Sequence, residues 1–295
     1  MARLRSTVVV AVVAYLAYSV FFAKDGRRER LNEQLRRNKC IYNSEFRMTR
    51  DQRLMSFCKA VYDVDERALE NWTCSWCQEH HANFQLHKII YKRKFNTKAL
   101  VGYDPELNAT VLAFRGTTTN DVDTSLWNKN WLRVNLNGLD FGNTSCVPHH
   151  LGKTVPGRVY CGFYEAYVDF RRSLLRAVNA SLQLHPDAPL YVTGHSLGGA
   201  LAALATLDVR LRRFRKQPIL VTFGAPEMAD RAFSTYYSCA IRQALRVYNL
   251  FDVVPYSMGD ILRWPRHVGK AKVSDKSIQL SLKPHYNYLG VNTHT

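Results

Sequence analysis

Short apolar runs alternate with helical patterns along most of the chain. The strand candidates are rich in β-branched or aromatic residues and bounded by glycine, proline or charge; they cover residues 111–114, 190–193, 219–223 and 245–248. Apolar residues three and four apart predict a helix over residues 163–184, and an Ala/Leu-rich run predicts another over 197–213. Because strands and helices alternate, the pattern predicts an α/β fold with a central, mostly parallel sheet flanked by helices.

The N-terminus has the pattern of a targeting segment. Arg3 and Arg5 precede an apolar run over residues 7–23, and a basic stretch beginning at Lys24 ends that run. A run of about 17 residues suits both a cleaved signal peptide and a retained signal anchor. Residues 1–23 are therefore predicted to be one of these two.

Beyond this segment the sequence predicts an arm and a single domain. Residues 24–57 are highly charged and weakly apolar, and we expect an N-terminal arm there. No linker long enough to divide the remainder is present, so residues 58–295 are predicted to form one catalytic domain. An apolar fraction of 46% excludes wholesale disorder. The 41 Lys and Arg against 24 Asp and Glu give a net charge of +17, which favours attraction to an anionic lipid surface.

Two further features indicate a secretory destination. Four N-glycosylation sequons occur, at Asn71, Asn108, Asn143 and Asn179. Seven cysteines lie beyond the targeting segment, where a secretory lumen would oxidise them. We therefore expect a secreted protein, or a lumenal or extracellular one held by an N-terminal membrane anchor, and we expect no nucleic-acid partner.

The spacing of the cysteines favours two local disulfides. No second C-x-x-C pair or matching H-x-x-x-H follows Cys74 and Cys77, so a disulfide is favoured there over a zinc or redox site. Cys146 and Cys161 bracket a loop that contains two prolines, and they form the second candidate pair. The cysteines that the sequence leaves unassigned are Cys40, Cys58 and Cys239.

The strongest chemical motif is Gly-His-Ser-Leu-Gly-Gly at residues 194–199. A G-x-S-x-G pattern places its serine on a strained turn between a strand and a helix, and the flanking glycines leave room for that turn. The pentapeptide alone is weak, since chance gives it in roughly one chain in ten of this length. Here a predicted strand precedes it and a predicted helix follows. This context makes Ser196 a candidate nucleophile rather than part of an ordinary glycine-rich turn.

A serine nucleophile needs a base and a carboxylate, which in this architecture follow it in the order Asp, His. Asp252 comes directly after a predicted strand, at the carboxyl end where catalytic residues gather. By contrast, Asp208 is predicted to lie on the helix after the serine, and Asp230 to begin another helix. His285 lies in a late loop that can fold back over the sheet, whereas His294 is next to last in the chain.

Six segments and one histidine, in order along the chain, resemble a known family. They are residues 113–117, 162–167, 194–199, 221–226, 249–255 and 266–269, and His285. Together they are similar to the class 3, fungal-type triacylglycerol lipase family of the α/β-hydrolase superfamily, over roughly residues 58 to 290. The resemblance implies an α/β-hydrolase fold with a lid segment over the site. It also implies Ser196 as nucleophile, Asp252 as acid and His285 as base.

The same resemblance implies further features around the site. The backbone N–H groups of Thr117 and Leu197 would form an oxyanion hole, the donor pair that stabilises charge developing on the ester oxygen. His267 matches a family position outside the triad. The pair Cys74 and Cys77 looks like a local disulfide of fungal members.

A lid is implied by the resemblance for the segment that follows the oxyanion loop, over residues 118–139. Its large apolar residues are Leu126, Trp127, Trp131 and Leu132. Our hypothesis is that Trp127 and Trp131 face the site when the lid is closed and lipid when it is open. Equal activity on monomeric and micellar ester would contradict this hypothesis.

These observations predict a serine ester hydrolase that cleaves acyl esters of glycerolipids through an acyl-enzyme on Ser196. Its substrate would be lipid at a membrane or droplet surface, and the mechanism requires no metal or organic cofactor. A phospholipase A1 acting on membrane phospholipids is the alternative that the positive charge favours. A catalytically silent, lipase-like lipid-binding protein is the alternative from another class.

Overall fold

A seven-stranded sheet forms the centre of the domain. The computed structural model describes residues 44–63, 65–117, 145–151, 155–212, 214, 216–250, 252, 254–256, 267–273 and 283–293. The strands, in their order across the sheet, are β1 (Gln85–Lys92), β2 (Thr97–Asp104), β3 (Ala109–Phe114), β6 (Leu190–His195), β7 (Pro218–Phe223), β8 (Ala244–Tyr248) and β9 (Lys270–Val273). Strands β1, β2 and β3 pair antiparallel, whereas β3, β6, β7, β8 and β9 pair parallel. The predicted α/β fold with a mostly parallel sheet is confirmed.

Two short strand pairs lie beside this sheet. They are β4 (Ser145–Cys146) with β5 (Val159–Tyr160), and β10 (Asn287–Tyr288) with β11 (Val291–Asn292). The second pair begins two residues after the candidate base His285.

Helices cover both faces of the sheet. In chain order they are α1 (Met48–Ala60), α2 (Glu66–Glu70), α3 (Ser75–His81), α4 (Cys161–Leu184), α5 (Leu197–Leu211), α6 (Arg231–Ala240) and α7 (Lys283–Tyr286). Strand β3 illustrates why: Leu112 and Phe114 belong to the core cluster that contains α4 and α5. Their neighbours Val111 and Ala113 belong to the cluster that contains α1. Since successive side chains of a strand point to opposite faces, a strand buried on both faces is apolar throughout, which is the pattern the sequence displays.

The boundary predicted between arm and domain lies between residues 57 and 58. It falls inside α1, where Leu54, Met55 and Phe57 are fully buried against the sheet. The composition of the segment resembles that of an arm because α1 carries several charged residues, but Asp51 is fully buried and pairs with Arg50 at 2.6 Å. The domain includes all of α1.

The remaining N-terminal predictions concern residues 1–43, which lie outside the described residues. They include the targeting segment and most of the predicted arm. Within the described part of the chain, no helix is long and apolar enough to cross a membrane.

The carboxyl ends of the parallel strands bring the candidate chemistry to one edge of the sheet. Thr117 follows β3, Ser196 follows β6 and Asp252 follows β8. Parallel strands leave their carboxyl ends on the same edge, so three segments distant in sequence meet there. Helix α6 begins as predicted at Asp230, whose side chain accepts the Phe233 amide at 2.8 Å.

Candidate active site

Ser196 lies on a sharp turn between β6 and α5. Its backbone φ of +55° and ψ of −130° belong to a region that residues with side chains rarely adopt. Two backbone hydrogen bonds hold the turn. The Ser196 amide donates to the Phe223 carbonyl at 2.9 Å, and the Gly199 amide donates to the Ser196 carbonyl at 2.9 Å. This strained strand-to-helix turn is the geometry of a nucleophile elbow.

Glycines flank the elbow because the backbone approaches itself closely there. A Cβ atom built on Gly194 would lie 2.2 Å from the Gly198 carbonyl oxygen. A Cβ atom built on Gly198 would lie 2.5 Å from the Phe114 carbonyl oxygen, at the end of β3. Real Cβ atoms essentially never approach another heavy atom within 3.0 Å, so larger residues would force the turn apart.

His285 faces the carboxylate of Asp252. Its Nδ1 lies 3.0 Å from Oδ1 and 2.9 Å from Oδ2, and both residues are almost fully buried. Because a carboxylate only accepts hydrogen bonds, Nδ1 carries the proton and Nε2 is left as the basic nitrogen. A neutral imidazole oriented in this way is what general-base activation of a serine requires.

Further donors hold the Asp252 carboxylate in place. The Val254 amide donates to Oδ1 at 2.9 Å, and the Tyr288 hydroxyl donates to Oδ2. Burial, followed by the negative charge of Asp252, raises the pKa of Tyr288 well above its usual value, so the phenol keeps its proton and remains a donor. A buried carboxylate with several donors can stabilise a positive charge that develops on His285.

The two predicted oxyanion donors flank the elbow. Leu197 is the first residue of α5, and the amides of a first helical turn have no partner within the helix. Thr117 is half-buried and directly follows Gly116. A Cβ atom built on Gly116 would lie 3.0 Å from the Ser196 Cβ, so this loop packs against the Ser196 side chain.

The structure brings the neighbourhoods of Ser196 and His285 together. His195, the residue before the serine, donates from Nε2 to the His285 carbonyl at 2.7 Å. The rings of His195 and His285 pack with centroids 4.7 Å apart. Among the described residues, no hydrogen bond joins the Ser196 hydroxyl to the His285 ring itself. Such bonds are commonly long in structures without substrate and tighten when substrate binds.

Two other groups considered from the sequence have structural partners. His267 Nε2 lies 3.7 Å from the Glu227 carboxylate, away from Asp252. Asp208 lies on α5 as predicted, where its buried carboxylate accepts Arg171 at 2.6 Å and Arg212 at 3.0 Å. Its role is to tie α5 to α4.

The cysteine and sequon predictions fall mostly within the described residues. Disulfides join Cys74 to Cys77 and Cys146 to Cys161. Of the three that the sequence left unassigned, Cys58 is a buried free thiol, Cys239 is disulfide-bonded, and Cys40 lies outside the described residues. The sequon residues Asn71, Asn108 and Asn179 are exposed, and Asn143 lies outside the described residues.

The lid hypothesis concerns a segment that the structure does not describe. Residues 118–144, which include Leu126, Trp127, Trp131 and Leu132, lie outside the described residues. In the part of the chain that is described, no group of three or more His, Cys, Asp or Glu side chains is placed to hold a metal ion.

Three side chains near the site were not singled out from the sequence. Tyr288 donates to Asp252, His195 donates to the His285 carbonyl, and Tyr62 hydrogen-bonds to His195 at 2.9 Å. Each acts through a contact between segments far apart in the chain. Of the three, only His195 could have been found from the sequence, since it lies inside the Gly-His-Ser motif.

Comparison with known proteins gives a family and a set of relatives. Residues 111–261, just over half of the chain, match the family described as Lipase (class 3). A lipase of Rhizomucor miehei is 26% identical over 204 residues, which cover 68% of this chain and 50% of that protein. The chloroplastic phospholipase A1 DAD1 of Arabidopsis thaliana is 33% identical over 160 residues, which cover 52% of this chain and 34% of that protein. The chain thus matches about half of the length of these curated relatives, or less.

Solved structures share the fold. The crystal structure of a lipase from Rhizopus microsporus var. chinensis has a TM-score of 0.68 at 21% identity, and the match covers 85% of this chain and 90% of that one. At this identity the likeness establishes the α/β-hydrolase fold of the chain.

Proposed function

Since the chain belongs to the class 3 lipase family, we propose that it is a serine ester hydrolase that cleaves the acyl esters of glycerolipids. Ser196 is the nucleophile, His285 the general base and Asp252 the carboxylate that orients it. The lipase of Rhizomucor miehei supports the substrate class, because its name describes an activity on lipid esters.

The observation that carries the proposal is the His285–Asp252 pair at 2.9 Å beside the strained Ser196 elbow. A serine on an ordinary glycine-rich turn would need neither a positive φ nor a buried imidazole close to the turn. A buried histidine kept only for packing would not need a buried carboxylate on its Nδ1, because burying a charge is costly unless it is used or fully paired.

Acylation follows from these positions. As the Ser196 hydroxyl attacks the ester carbonyl, its proton passes to Nε2 of His285, and Asp252 stabilises the imidazolium that forms. The amides of Thr117 and Leu197 donate to the carbonyl oxygen as it becomes negative. His285 then protonates the leaving alcohol, and the acyl group remains on Ser196.

Deacylation repeats the same proton transfers with water. His285 takes a proton from the water molecule that attacks the acyl-enzyme, and returns it to Ser196 as the fatty acid leaves. Both halves of the reaction use one base and one oxyanion site, so the chemistry needs no metal or organic cofactor.

The second part of the proposal concerns the compartment and the lipid surface at which the protein acts. The protein acts in the secretory pathway or outside the cell, on lipid at a membrane or droplet surface. The net charge of +17 supports attraction to anionic lipid, and the disulfides and exposed sequons support an oxidising, glycosylating compartment. Residues 118–139 act as the lid.

A phospholipase A1 is the second candidate. The observation that favours it is the 33% identity to the chloroplastic phospholipase A1 of Arabidopsis thaliana, together with the positive charge of the chain. Both candidates use the same triad, so the substrate alone distinguishes them.

The experiment compares the full-length, oxidised protein with Ser196→Ala on emulsified triacylglycerol and on mixed phospholipid vesicles. Released fatty acids and lyso-lipids are identified by mass spectrometry. We expect fatty-acid release from triacylglycerol by wild type, a loss of at least 10³-fold in Ser196→Ala, and no loss in the control Ser173→Ala, a half-exposed serine on α4.

Each other outcome has a definite meaning. Preferential formation of lyso-phospholipid would favour the phospholipase A1. Turnover that survives Ser196→Ala would refute the mechanism. No release from folded protein that binds the vesicles would favour the lipid-binding alternative.

A further inference from the structure

A hydrogen-bonded connection runs behind the nucleophile. The Tyr62 hydroxyl lies 2.9 Å from His195 Nδ1, and His195 Nε2 lies 2.7 Å from the carbonyl oxygen of His285. Residues 62, 195 and 285 belong to three separate parts of the chain. We call these two hydrogen bonds the Tyr62–His195 link.

The direction of each hydrogen bond follows from chemistry. A carbonyl oxygen only accepts, so His195 must carry a proton on Nε2. In the neutral ring Nδ1 is then the acceptor, and Tyr62 is the donor to it. Burial raises the pKa of Tyr62 far above its usual value, which keeps the phenol protonated and able to donate.

The far end of the link reaches the oxyanion loop. A Cβ atom built on Gly116 would lie 2.3 Å from the Tyr62 hydroxyl oxygen, so this hydroxyl lies directly against the Gly116 backbone. The amide next along the chain is that of Thr117, the proposed oxyanion donor. The position of Tyr62 therefore fixes the start of the loop that carries this donor.

The near end of the link reaches the backbone of the proposed base. Helix α7 has only four residues, so it cannot fix His285 by itself. Three consecutive carbonyls are held from outside instead. That of His285 accepts from His195, that of Tyr286 from the Thr293 amide at 2.9 Å, and that of Asn287 from the Asn249 side chain at 2.7 Å. Of these three, the hydrogen bond from His195 is the one that connects to the elbow.

We propose that Tyr62 and His195 are positioning residues that hold the oxyanion loop and the catalytic histidine in one fixed relation to Ser196. The link runs from the Tyr62 hydroxyl, which lies against Gly116, through His195 to the His285 carbonyl. The proposal rests on the proposed function, because it assigns the parts that the link holds to ester hydrolysis. In this proposal both side chains act through the groups that they position and not on the reacting atoms, so loss of the link lowers kcat while KM stays within about twofold.

The test uses variants that remove one end of the link at a time. Tyr62→Phe removes the hydroxyl and keeps the ring. His195→Gln places an amide nitrogen near the position of Nε2, so it can still donate to the His285 carbonyl. The side chain in His195→Asn is shorter and reaches only the position of Nδ1. It therefore cannot donate to the His285 carbonyl. Tyr103→Phe is the matched control, because the Tyr103 hydroxyl donates to Asn108 at 2.7 Å away from the site.

Turnover of a soluble short-chain ester is measured per active site, counted by stoichiometric reaction with a fluorophosphonate. We expect kcat to fall about tenfold in Tyr62→Phe and about 10- to 100-fold in His195→Asn. His195→Gln, which keeps the donor to the His285 carbonyl but loses the acceptor for Tyr62, should fall no further than Tyr62→Phe, and Tyr103→Phe should remain within about threefold of wild type. Because the link is a single unit, the double variant Tyr62→Phe/His195→Asn should lose no more than about threefold beyond His195→Asn.

Two results would overturn the proposal: losses that multiply in the double variant, or equal losses in His195→Gln and His195→Asn. A measurement that does not depend on turnover distinguishes failure of this proposal from failure of the proposed function. Nitrogen-15 NMR of labelled histidine should show His195 protonated at Nε2, and the Nδ1 resonance should shift in Tyr62→Phe. A His195 ring protonated only at Nδ1 would refute the link even in an inactive protein, whereas the expected tautomer in a protein without ester turnover would contradict only the proposed function.

Discussion

The substitution Gly198→Ala tests whether the elbow needs its close backbone approach. Gly198 is the second residue of α5, and an added Cβ atom would lie 2.5 Å from the Phe114 carbonyl oxygen and 2.8 Å from that of Arg115. Contacts below 3.0 Å do not persist, so the start of α5 and the end of β3 must separate by at least 3.0 minus 2.5, or about 0.5 Å. Both contacts are with backbone, which cannot rotate away as a side chain can.

The sign of the stability change depends on two opposing effects. Within a helix, Ala is favoured over Gly by about 1 kcal/mol. Overpacking against a rigid backbone costs about 1–3 kcal/mol. We expect overpacking to prevail, with a net loss of about 1 kcal/mol. The proposed oxyanion donors, the amides of Leu197 and Thr117, lie on the two separating segments, so kcat/KM should fall about 10- to 100-fold.

The assay pairs short-chain ester hydrolysis with chemical denaturation. The control is Gly269→Ala, at the start of β9. Gly269 has a φ of +100°, but an added Cβ atom would meet nothing closer than 3.5 Å. Backbone strain should therefore destabilise the control by about 1 kcal/mol and leave kcat/KM unchanged. A Gly198→Ala protein more stable than wild type and fully active would refute the steric reasoning.

Three further predictions concern buried groups. Tyr288→Phe removes a donor to the buried Asp252 carboxylate, so denaturation should reveal a loss of about 1.5–3 kcal/mol; a change below about 0.5 kcal/mol would contradict the role of this hydrogen bond. Burial, and then Arg53, lowers the pKa of His81 to about 3 from an ordinary 6.5. The unfolded chain therefore binds the extra proton first, and the free energy of unfolding should fall by about 1.4 kcal/mol per unit as pH drops from 6 to 4. His81→Gln should remove that part of the slope, and an unchanged slope would mean that His81 does not contribute to it. Burial raises the pKa of Cys58 to about 12, so iodoacetamide at pH 8 should alkylate Cys58 only after unfolding, and rapid labelling of native protein would contradict its burial.

Much of the central sheet could be predicted because its strands are buried on both faces. Residues 111–114, 190–193, 219–223 and 245–248 are apolar almost without interruption, and each lies within an observed strand. The edge strands β1 and β9, and the buried strand β2, were not predicted. Strand β1 mixes Lys, His and Tyr with Ile because only part of it is buried, and β9 is four residues long and contains two lysines. Helix α1 was assigned to the arm because charge outweighs its short apolar stripe.

The elbow is the part of the candidate site that the sequence specifies locally. Gly194, Ser196 and Gly198 are contiguous with the strand and helix that form the turn, and the steric reason for the glycines acts over a few residues. Asp252 and His285 could be nominated from chain order, strand ends and family resemblance. Their contact at 2.9 Å could not be derived from spacing, since 33 residues separate them.

Because periodicity and backbone sterics are local, the alternating α/β pattern, the strand–Ser–helix turn and the candidates for base and carboxylate can be predicted from the amino-acid sequence. The groups that support them are seen only in the folded chain. Tyr288 reaches Asp252, and Tyr62 reaches His195, across sequence separations of 36 and 133 residues. Hydrogen bonds of this kind depend on the positions of whole elements, and those positions follow from packing α1 and the last strands against the sheet. No local pattern encodes such a distance, so these contacts become visible only once the chain is folded.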